Sequence, residues 1–255
     1  MKKQDISHKL PPRVDVIGVP ISAVTRQTAL AFVAEHLDAL RGEYICACNV
    51  HTTVTARVSQ DYLNVQRNSV MSFPDGKPLA VVGRKKAPCT MEKVRGIDFM
   101  KSCFTDVRFA GRKHYFYGAS SETIEQMILQ MQQDYPGLEI CGWEASVFRE
   151  LSDAEVDALA QRMNSAGSDF IWIAIGAPRQ EKLMYRLRGK VSGVMVGVGG
   201  TFNILAGIVP DAPVWMQNAG LEWIFRMARE PKRLWKRYLV TNPMFVFYLL
   251  NQKKK

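Results

Sequence analysis

The sequence lacks the cysteine and histidine patterns that mark a disulfide framework or a structural zinc site. None of its four histidines lies at zinc-ligand spacing, and its odd set of five cysteines has no CxxC pair: Cys46, Cys48, Cys89, Cys103 and Cys141. No Asp-x-Asp motif with apolar flanks is present either, so the usual carboxylate pair for a divalent ion on a nucleotide diphosphate is missing. These absences predict a protein of a reducing compartment without a bound metal ion.

Long apolar runs are also lacking. Residues 1–12 are polar and contain no apolar stretch of the kind that a signal peptide needs, which predicts that the protein stays inside the cell. The longest late apolar stretch, residues 238–250, contains Asn242 and Pro243. A bilayer span needs about 20 apolar residues, so this stretch is expected to lie on a membrane and not to cross it.

Positive charge is concentrated at the carboxyl end. The formal net charge is +10, and residues 222–255 contain nine Lys and Arg against two Glu, a net +7 in 34 residues. The sequence therefore predicts a nearly neutral body followed by a basic appendage, with a boundary between residues 1–209 and residues 210–255.

The body alternates short apolar runs with amphipathic segments, which is typical of an α/β fold with a Rossmann-like parallel-sheet core. The candidate strands are residues 13–17, 44–47, 70–73, 114–117, 138–142, 170–175 and 194–198. Ser152 and Glu155 have capping-box spacing at the start of one helix, and Ser120 or Ser121 can cap the helix that follows Tyr117-Gly118. The segment 114–142 is thus predicted to be a strand, helix, strand unit with parallel strands.

The appendage is predicted to be helical. Residues 213–238 are interpreted as two linked amphipathic helices, with Pro231 kinking or restarting the chain because it lacks an N–H donor. Its mixture of tryptophan, phenylalanine and basic residues is typical of a segment in the headgroup region of an anionic membrane. A solvated basic face whose aromatics pack on the body is the alternative.

Two polar motifs follow predicted strands, where α/β proteins bind ligands. Asp75, in Pro74-Asp75-Gly76, is a candidate general base, although Asp-Gly is also ordinary turn chemistry. Asn49 begins another such segment, and His51 beside it either titrates near neutral pH or is a hydrogen-bonded structural residue.

Three further segments have the residues expected around an anion. Residues 176–182 open a helix after an apolar strand and contain Gln180, a donor and acceptor for a base or sugar; a proline helix start is the plain alternative. Gly199 and Gly200 lie in a glycine cluster that suits either a phosphate loop or a tight turn. Arg95 precedes a glycine and suits a bidentate phosphate contact or a surface salt bridge.

The order of these motifs resembles the WecG/TagA/CpsF family of bacterial glycosyltransferases over residues 14–250. The resemblance is strongest in residues 197–207 and in residues 220–238, which run from Gly220-Leu221-Glu222-Trp223 to Leu234-Trp235-Lys236-Arg237-Tyr238. It implies an inverting, metal-independent transfer of a sugar, typically of the N-acetylmannosamine type, from a UDP-sugar to a polyprenyl-diphosphate-linked amino sugar. Such reactions serve wall teichoic acid, enterobacterial common antigen or exopolysaccharide synthesis.

By the same resemblance, Asp75 is the expected base that deprotonates the acceptor hydroxyl. The expected substrate-binding residues are Asn49, Arg95, Gln180, Gly199, Gly200, Arg226 and Arg233. The two appendage arginines would neutralise charge on the departing UDP. No cofactor is implied beyond the UDP-sugar co-substrate. The expected partners are the lipid-linked acceptor, the inner face of the cell membrane, where the protein would be peripheral, and a second copy of the chain, since members can self-associate.

Two positions depart from the family pattern. Asn203 stands where Asp is usual, so it receives no catalytic role, and Lys236 stands where Arg is expected and lacks its bidentate geometry. The donor can therefore differ, for example UDP-glucose in exopolysaccharide synthesis. A Rossmann-type oxidoreductase or nucleotide sensor is a rival class, but the first strand is not followed by GxGxxG. A nucleic-acid-binding protein would explain the pI of 9.4 but leaves the strand-end motifs without a purpose, so no nucleic acid is expected as a partner.

Overall fold

The computed structural model describes residues 9–86 and 90–252, so Cys89, Lys253, Lys254 and Lys255 lie outside the described residues. The described chain forms an α/β body around a six-stranded parallel sheet, followed by carboxyl-terminal helices. The sheet order is β4-β3-β8-β7-β5-β6. Its strands are β3 (Tyr44–Cys48), β4 (Met71–Pro74), β5 (Lys113–Gly118), β6 (Glu139–Glu144), β7 (Phe170–Ala174) and β8 (Val194–Gly197).

Helices connect the strands and cover both faces of the sheet, as a parallel sheet requires. They are α1 (Arg26–His36), α2 (Val50–Val58), α3 (Gln60–Asn68), α4 (Lys77–Lys86), α5 (Gly96–Thr105), α6 (Ser121–Asp134), α7 (Asp153–Ser165), α8 (Arg179–Leu187) and α9 (Thr201–Leu205), with a 3₁₀ turn at Val107–Phe109. Strand residues alternate between two cores: Phe170 and Trp172 pack with α1, α5, α6 and α9, whereas Ile171 and Ile173 face α2, α3, α7 and α8.

The predicted parallel unit is confirmed. β5, α6 and β6 follow one another, and β5 and β6 pair in parallel. Ser120 caps α6 by accepting a hydrogen bond from the Thr123 N–H, and Ser152 forms the predicted capping box with Glu155 at the start of α7. Local capping chemistry therefore fixes the starts of both helices.

The first predicted strand, residues 13–17, is confirmed as a strand but lies outside the parallel sheet. β1 (Arg13–Val16) instead pairs antiparallel with β2 (Val19–Ser22), a strand that the pattern did not reveal. Ile17 and Gly18, both with positive φ, form the two-residue turn between them. A turn this short permits only an antiparallel hairpin, whereas a parallel pair needs a long crossover.

The appendage contains three helices where the sequence predicted two. They are α10 (Val214–Ala219), α11 (Glu222–Arg229) and α12 (Pro231–Leu250). Gly220 ends α10 in the left-handed region at φ +80°, and Pro231 restarts the chain at the first turn of α12, as expected. Pro243 lies inside α12 without ending it. None of the described helices is long and apolar enough to cross a bilayer.

Candidate active site

The carboxyl ends of neighbouring strands bring the predicted base and Asn49 together. Asp75 follows β4 and Asn49 follows β3, whose registers pair Cys48 with Pro74, and the Asp75 N–H donates to the Cys48 carbonyl at 2.7 Å. Asn49 is the N-cap of α2 and accepts a hydrogen bond from the Thr52 N–H at 3.1 Å. Sheet register therefore places an amide side chain beside the candidate base.

The carboxyl group of Asp75 lies in a protein-lined environment. Its Oδ1 accepts a hydrogen bond from the Gly96 N–H at 3.3 Å, at the start of α5. Burial raises the pKa of Asp75 to about 6, against the opposing effect of the Arg226 charge, and Glu222 raises it further. A carboxylate with this pKa is ionised at neutral pH and basic enough to accept a proton in a reaction.

The glycine loop after β8 lies next to this carboxylate. A side chain added at Gly96 would come within 3.5 Å of the Val198 backbone, so the start of α5 packs closely against the residue before Gly199. Gly199 has φ +60°, and a Cβ added at Gly199 or Gly200 would meet no described atom within 4 Å beyond its chain neighbours. The loop therefore leaves open space at the sheet edge, where a ligand can approach the backbone.

Gln180 holds that loop in place. It is almost completely buried, its Oε1 accepts a hydrogen bond from the Gly199 N–H at 3.0 Å, and its Nε2 donates to Glu181 at 2.8 Å. Glu181 is fully buried, burial raises its pKa to about 7, and no local sequence pattern indicated a role for it. The structure thus shows Gln180 as a support of the glycine loop, and its contact with substrate stays a prediction.

Arg95 joins the body to the appendage. It is 4% exposed, although a surface salt bridge was one interpretation of its sequence. Its guanidinium contacts three carboxylates: Asp98 at 3.2 Å, Glu222 at 2.7 Å, and Asp211. It also donates to the Gln217 Oε1 at 2.8 Å. These contacts occupy the N–H donors of the guanidinium, so the phosphate-binding role of Arg95 stays a prediction.

Lys93 and Lys77 strengthen the same junction. The Lys93 Nζ donates to Glu222 at 3.1 Å and to the Gln217 carbonyl at 2.8 Å, and the Lys77 Nζ donates to the Asn218 carbonyl at 2.7 Å. Sequence reasoning missed Asp211, Gln217 and Glu222. No local pattern could have found them, because Arg95 and Asp211 are 116 residues apart in the chain.

The predicted appendage arginines differ in their surroundings. Arg226, on α11, is partly buried, and its charge acts on Asp75, but no hydrogen bond or ion pair joins its guanidinium to residues 9–86 or 90–252. Arg233, on α12, is exposed and pairs with Glu230 at 2.5 Å. Asp75, Asn49, Gly199 and Gly200 therefore lie at one edge of the sheet, where the charges of Arg95 and Arg226 act on Asp75, whereas Arg233 pairs with Glu230.

His51 and Tyr238 also belong to this region. Burial, with a smaller effect of the Arg237 charge, lowers the pKa of His51 to about 4, so it does not titrate near neutral pH. Its buried Nδ1 has no hydrogen-bond partner in the described part of the chain, and the alternative of a hydrogen-bonded structural residue fails for that nitrogen. Charges of Arg226 and Asp75 both act on the Tyr238 hydroxyl, whose pKa is raised mainly by burial.

Asn203 lies on α9, partly exposed, and no side-chain hydrogen bond links it to another described residue. In residues 9–86 and 90–252 no group of three or more His, Cys, Asp and Glu side chains is arranged to hold a metal ion.

The structure thus places a buried carboxylate, an open glycine loop and a cation of the appendage at the strand ends of an α/β fold, where proteins of this class bind ligands. The chain matches the glycosyl transferase WecG/TagA/CpsF family over residues 14–255, and it belongs to that family. It is therefore a glycosyltransferase, as the resemblance implied.

The curated relatives are similar over most of their length. An N-acetylglucosaminyldiphosphoundecaprenol N-acetyl-beta-D-mannosaminyltransferase of Bacillus subtilis is 26% identical over 220 residues, which cover 86% of this chain and 83% of the relative. Relatives with the same name come from Bacillus spizizenii, with the same identity and coverage, and from Staphylococcus aureus, 24% identical over 95% of this chain and 94% of the relative.

Proposed function

We propose that this glycosyltransferase moves an N-acetylmannosamine-type sugar from a UDP-linked donor to a polyprenyl-diphosphate-linked N-acetylglucosamine, with inversion and without a metal ion. The acceptor and the sugar are those in the names of the similar Bacillus and Staphylococcus enzymes. The observation that carries the proposal for this chain is the placement of the Asp75 carboxylate beside the cation of Arg226. A base and a cation at one edge of the sheet are what a single displacement requires.

In the proposed reaction, Asp75 accepts the proton of the acceptor hydroxyl while the hydroxyl oxygen attacks the anomeric carbon of the donor sugar. The bond between that carbon and the phosphate oxygen breaks, and UDP leaves with the electron pair. One displacement inverts the anomeric configuration. Arg226 neutralises the charge that develops on the diphosphate, the task that a divalent ion performs in other transferases.

The Gly199 loop supports the donor end of this site. Its backbone borders open space, and Gln180 fixes its position through the Gly199 N–H. Backbone N–H groups of such loops bind phosphate oxygens, so the diphosphate is proposed to lie between Gly199, Gly200 and the appendage arginines.

The appendage is proposed to hold the enzyme peripherally on the inner face of the membrane, where a lipid-linked acceptor lies. Trp215 and Trp235 are 65% and 52% exposed, and Leu239 and Phe247 are exposed on α12. Phe245 and Tyr248 of the same helix pack against the body, so the alternative of aromatics packed on the body accounts for those two and not for the exposed ones. Exposed aromatics next to lysine and arginine favour an anionic headgroup region.

The deciding experiment measures UDP release from a panel of UDP-sugars, with and without a synthetic polyprenyl-diphosphate N-acetylglucosamine, in chelator and then with added magnesium. We expect acceptor-dependent release from UDP-N-acetylmannosamine that chelator does not reduce. Release only from another donor, such as UDP-glucose, would replace the proposed sugar. Strict dependence on magnesium would overturn the metal-free mechanism, and no release from any donor would overturn the proposed reaction.

A further inference from the structure

Glu181 is a buried acid that the proposed reaction does not use. It lies in the first turn of α8, where an acidic side chain can remain in solvent and still interact favourably with the helix dipole. The Glu181 side chain is instead fully buried, and its charge acts on Cys48 of β3 and on Tyr62 of α3. Burial of a carboxyl group is costly unless its neighbours compensate for it, so the contacts of its two oxygens are informative.

The two oxygens of Glu181 have different surroundings. Oε1 accepts a hydrogen bond from the Gln180 Nε2 at 2.8 Å, whereas Oε2 is buried without a hydrogen-bond partner in the described part of the chain. Burial raises the pKa of Glu181 to about 7, and the groups that act against burial are the Gln180 amide, the backbone N–H of Glu181 and the Tyr62 hydroxyl. None of these groups carries a positive charge. Glu181 is therefore not half of an ion pair that joins two elements, and its direct contact leads to Gln180.

This contact fixes the orientation of the Gln180 amide. The oxygen of an amide only accepts hydrogen bonds and its nitrogen only donates them. The Gln180 Oε1 accepts from the Gly199 N–H at 3.0 Å while its Nε2 donates to Glu181, so turning the amide over would break both hydrogen bonds. The amide also has little room, because a Cβ at Gly197 would stand 3.0 Å from the Gln180 Nε2. Glu181 thus selects the orientation in which the amide oxygen faces the glycine loop.

The glycine loop depends on that oxygen for its link to α8. The Val198 N–H still bonds to the Ile173 carbonyl of the neighbouring strand, and the Thr201 hydroxyl donates to the Val198 carbonyl within the loop. Gly199 comes directly after this last contact with the sheet and donates to Gln180. Glycine loses more conformational freedom than other residues when it is ordered, so two successive glycines need such a contact to keep one shape.

We infer that Glu181 is a positioning residue: its carboxyl group fixes the Gln180 amide, which holds the Gly199–Gly200 loop in the form that receives the donor diphosphate. The last step rests on the proposed function, which assigns the diphosphate to this loop. Glu181 acts only through Gln180. Without the carboxyl group, the Gln180 Nε2 would be a buried donor without an acceptor, so the amide is expected to turn away and release the Gly199 N–H.

The test compares Glu181→Met with Glu181→Gln. Methionine fills a similar volume without an acceptor oxygen, so it removes the contact and keeps the packing. Glutamine offers an oxygen in place of Oε1 and resembles the protonated carboxyl group, the form that burial favours. Leu187→Ala is the control, because Leu187 is a fully buried apolar residue of the same helix whose truncation lowers stability.

The first measurement is hydrogen exchange of the Gly199 amide in the ligand-free protein. In Glu181→Met this amide is expected to exchange about tenfold faster or more, while the amides of β7 and β8 keep their parental rates. Glu181→Gln should stay close to the parent, and Leu187→Ala should speed exchange across the core without singling out Gly199. Parental protection of Gly199 in Glu181→Met would refute the inference. Faster exchange spread over the core, or an equal loss of protection in Glu181→Gln, would refute it as well.

The second measurement separates the KM of the UDP-sugar donor from the other kinetic constants. Glu181→Met is expected to raise the donor KM by about tenfold and to leave the KM of the lipid-linked acceptor near the parental value, because the loop contacts only the donor. Glu181→Gln should restore the donor KM. A merely structural role would lower kcat through loss of folded enzyme, as in Leu187→Ala, and would leave both KM values unchanged. That result would overturn the inference, as would an equal rise in both KM values.

The two measurements distinguish failure of the inference from failure of the proposed function. Hydrogen exchange needs no substrate, so faster exchange at Gly199 in Glu181→Met with no sugar transfer by the parent would leave the positioning role and reject the function. Sugar transfer by the parent, with unchanged Gly199 exchange and unchanged donor KM in Glu181→Met, would leave the function and reject the positioning role. Faster exchange with an unchanged donor KM would reject the link between the loop and the donor.

Discussion

Arg95 in the body and Arg237 in the appendage show two opposite uses of a buried cation. Arg95 is surrounded by Asp98, Asp211 and Glu222, and its guanidinium is occupied by these carboxylates. Arg237 is partly buried, and its side chain makes no hydrogen bond or ion pair with the described residues; burial and the charges of Arg233 and Arg226 lower its pKa, while Tyr238 and Glu230 act in the opposite direction. The fold thus neutralises the cation that joins the body to the appendage, and it leaves Arg237 without a carboxylate bonded to it among the described residues.

The carboxylates show the same contrast. Glu222 belongs to the appendage but contacts Lys93 and Arg95 of the body, whereas Asp75 belongs to the body and feels the charge of Arg226 from the appendage. Each part therefore contributes a charge that the other part needs. Because Arg95 ties Glu222 of the appendage to the body, we expect it to position Arg226 relative to Asp75 even without substrate contact.

The largest effect is expected from Asp75→Asn, which removes the base and leaves the cations in place. Transfer should fall by about 10²- to 10⁴-fold, the usual contribution of a general base. UDP affinity should stay near the parental value or increase, because a negative charge near the diphosphate is lost. Acceptor-dependent UDP release measures the transfer rate, and calorimetry measures UDP affinity. Asp61→Asn, at an exposed position, is the control. Normal turnover in Asp75→Asn would exclude Asp75 as the base.

Arg95→Met is expected to have the next largest effect, on stability. It leaves Asp211 and Glu222 without their cation, and breaking a buried ion pair costs about 3 kcal/mol of unfolding free energy. Urea unfolding measures this, and Arg95→Lys should recover part of it because the charge remains without the fork. Arg237→Gln should instead leave the unfolding free energy of the ligand-free protein unchanged or raise it, because it removes a charge that has no partner. If Arg237→Gln destabilises the protein as much as Arg95→Met does, the distinction between the two cations is wrong.

The pH dependence of transfer should move in opposite directions when the two neighbours of Asp75 are changed. Its raised pKa of about 6 means that the base becomes protonated, and kcat/KM falls, as the pH drops below about 6. Arg226 lowers this pKa and Glu222 raises it. Arg226→Gln should therefore shift the acidic limb to higher pH and Glu222→Gln to lower pH.

The raised pKa of Asp75 also makes the folding stability of the protein depend on pH. Because the folded pKa of Asp75 lies above its ordinary value of 3.8, the group favours the folded state only at low pH, and that contribution is lost as the pH rises through about 6. Asp75→Asn should accordingly stabilise the protein at neutral pH more than at pH 4. For transfer, a shift of the acidic limb in the same direction in Arg226→Gln and Glu222→Gln would mean that a group other than Asp75 controls the pH profile.

The strand and helix pattern was predictable where periodicity and caps are local. The segments around β5, α6 and β6 follow from alternating apolar runs and from Ser120, whereas β2 escaped notice because Pro20 interrupts a four-residue strand. In the appendage, Gly220 and Pro231 divide the chain into three helices. Only Pro231 was recognised as a break, because glycine at a helix end acts through a backbone angle that the sequence does not display.

The strand-end residues of the site were predictable for the same reason, since parallel strands bring their carboxyl ends to one edge. The partners of Arg95 were not, because they come from the other end of the chain. Nor was the difference between Lys236 and Arg237, which depends on the rotation of α12 set by Leu234, Thr241 and Phe245. Both features depend on how the appendage packs against the body, and no local sequence pattern encodes that packing.

The smallest expected effect contrasts the two faces of α12 on a membrane. Each cation near an anionic surface contributes roughly 1 kcal/mol, so Lys236→Gln should lower binding to phosphatidylglycerol-containing vesicles about fivefold at low salt. Arg237→Gln should lower it less, because its charge faces the protein and not the lipid. Sedimentation with vesicles at increasing salt measures both, with neutral phosphatidylcholine vesicles as control. Equal losses in the two variants would mean that Arg237 faces the membrane, and the division of α12 into a lipid-facing and a body-facing side would then be wrong.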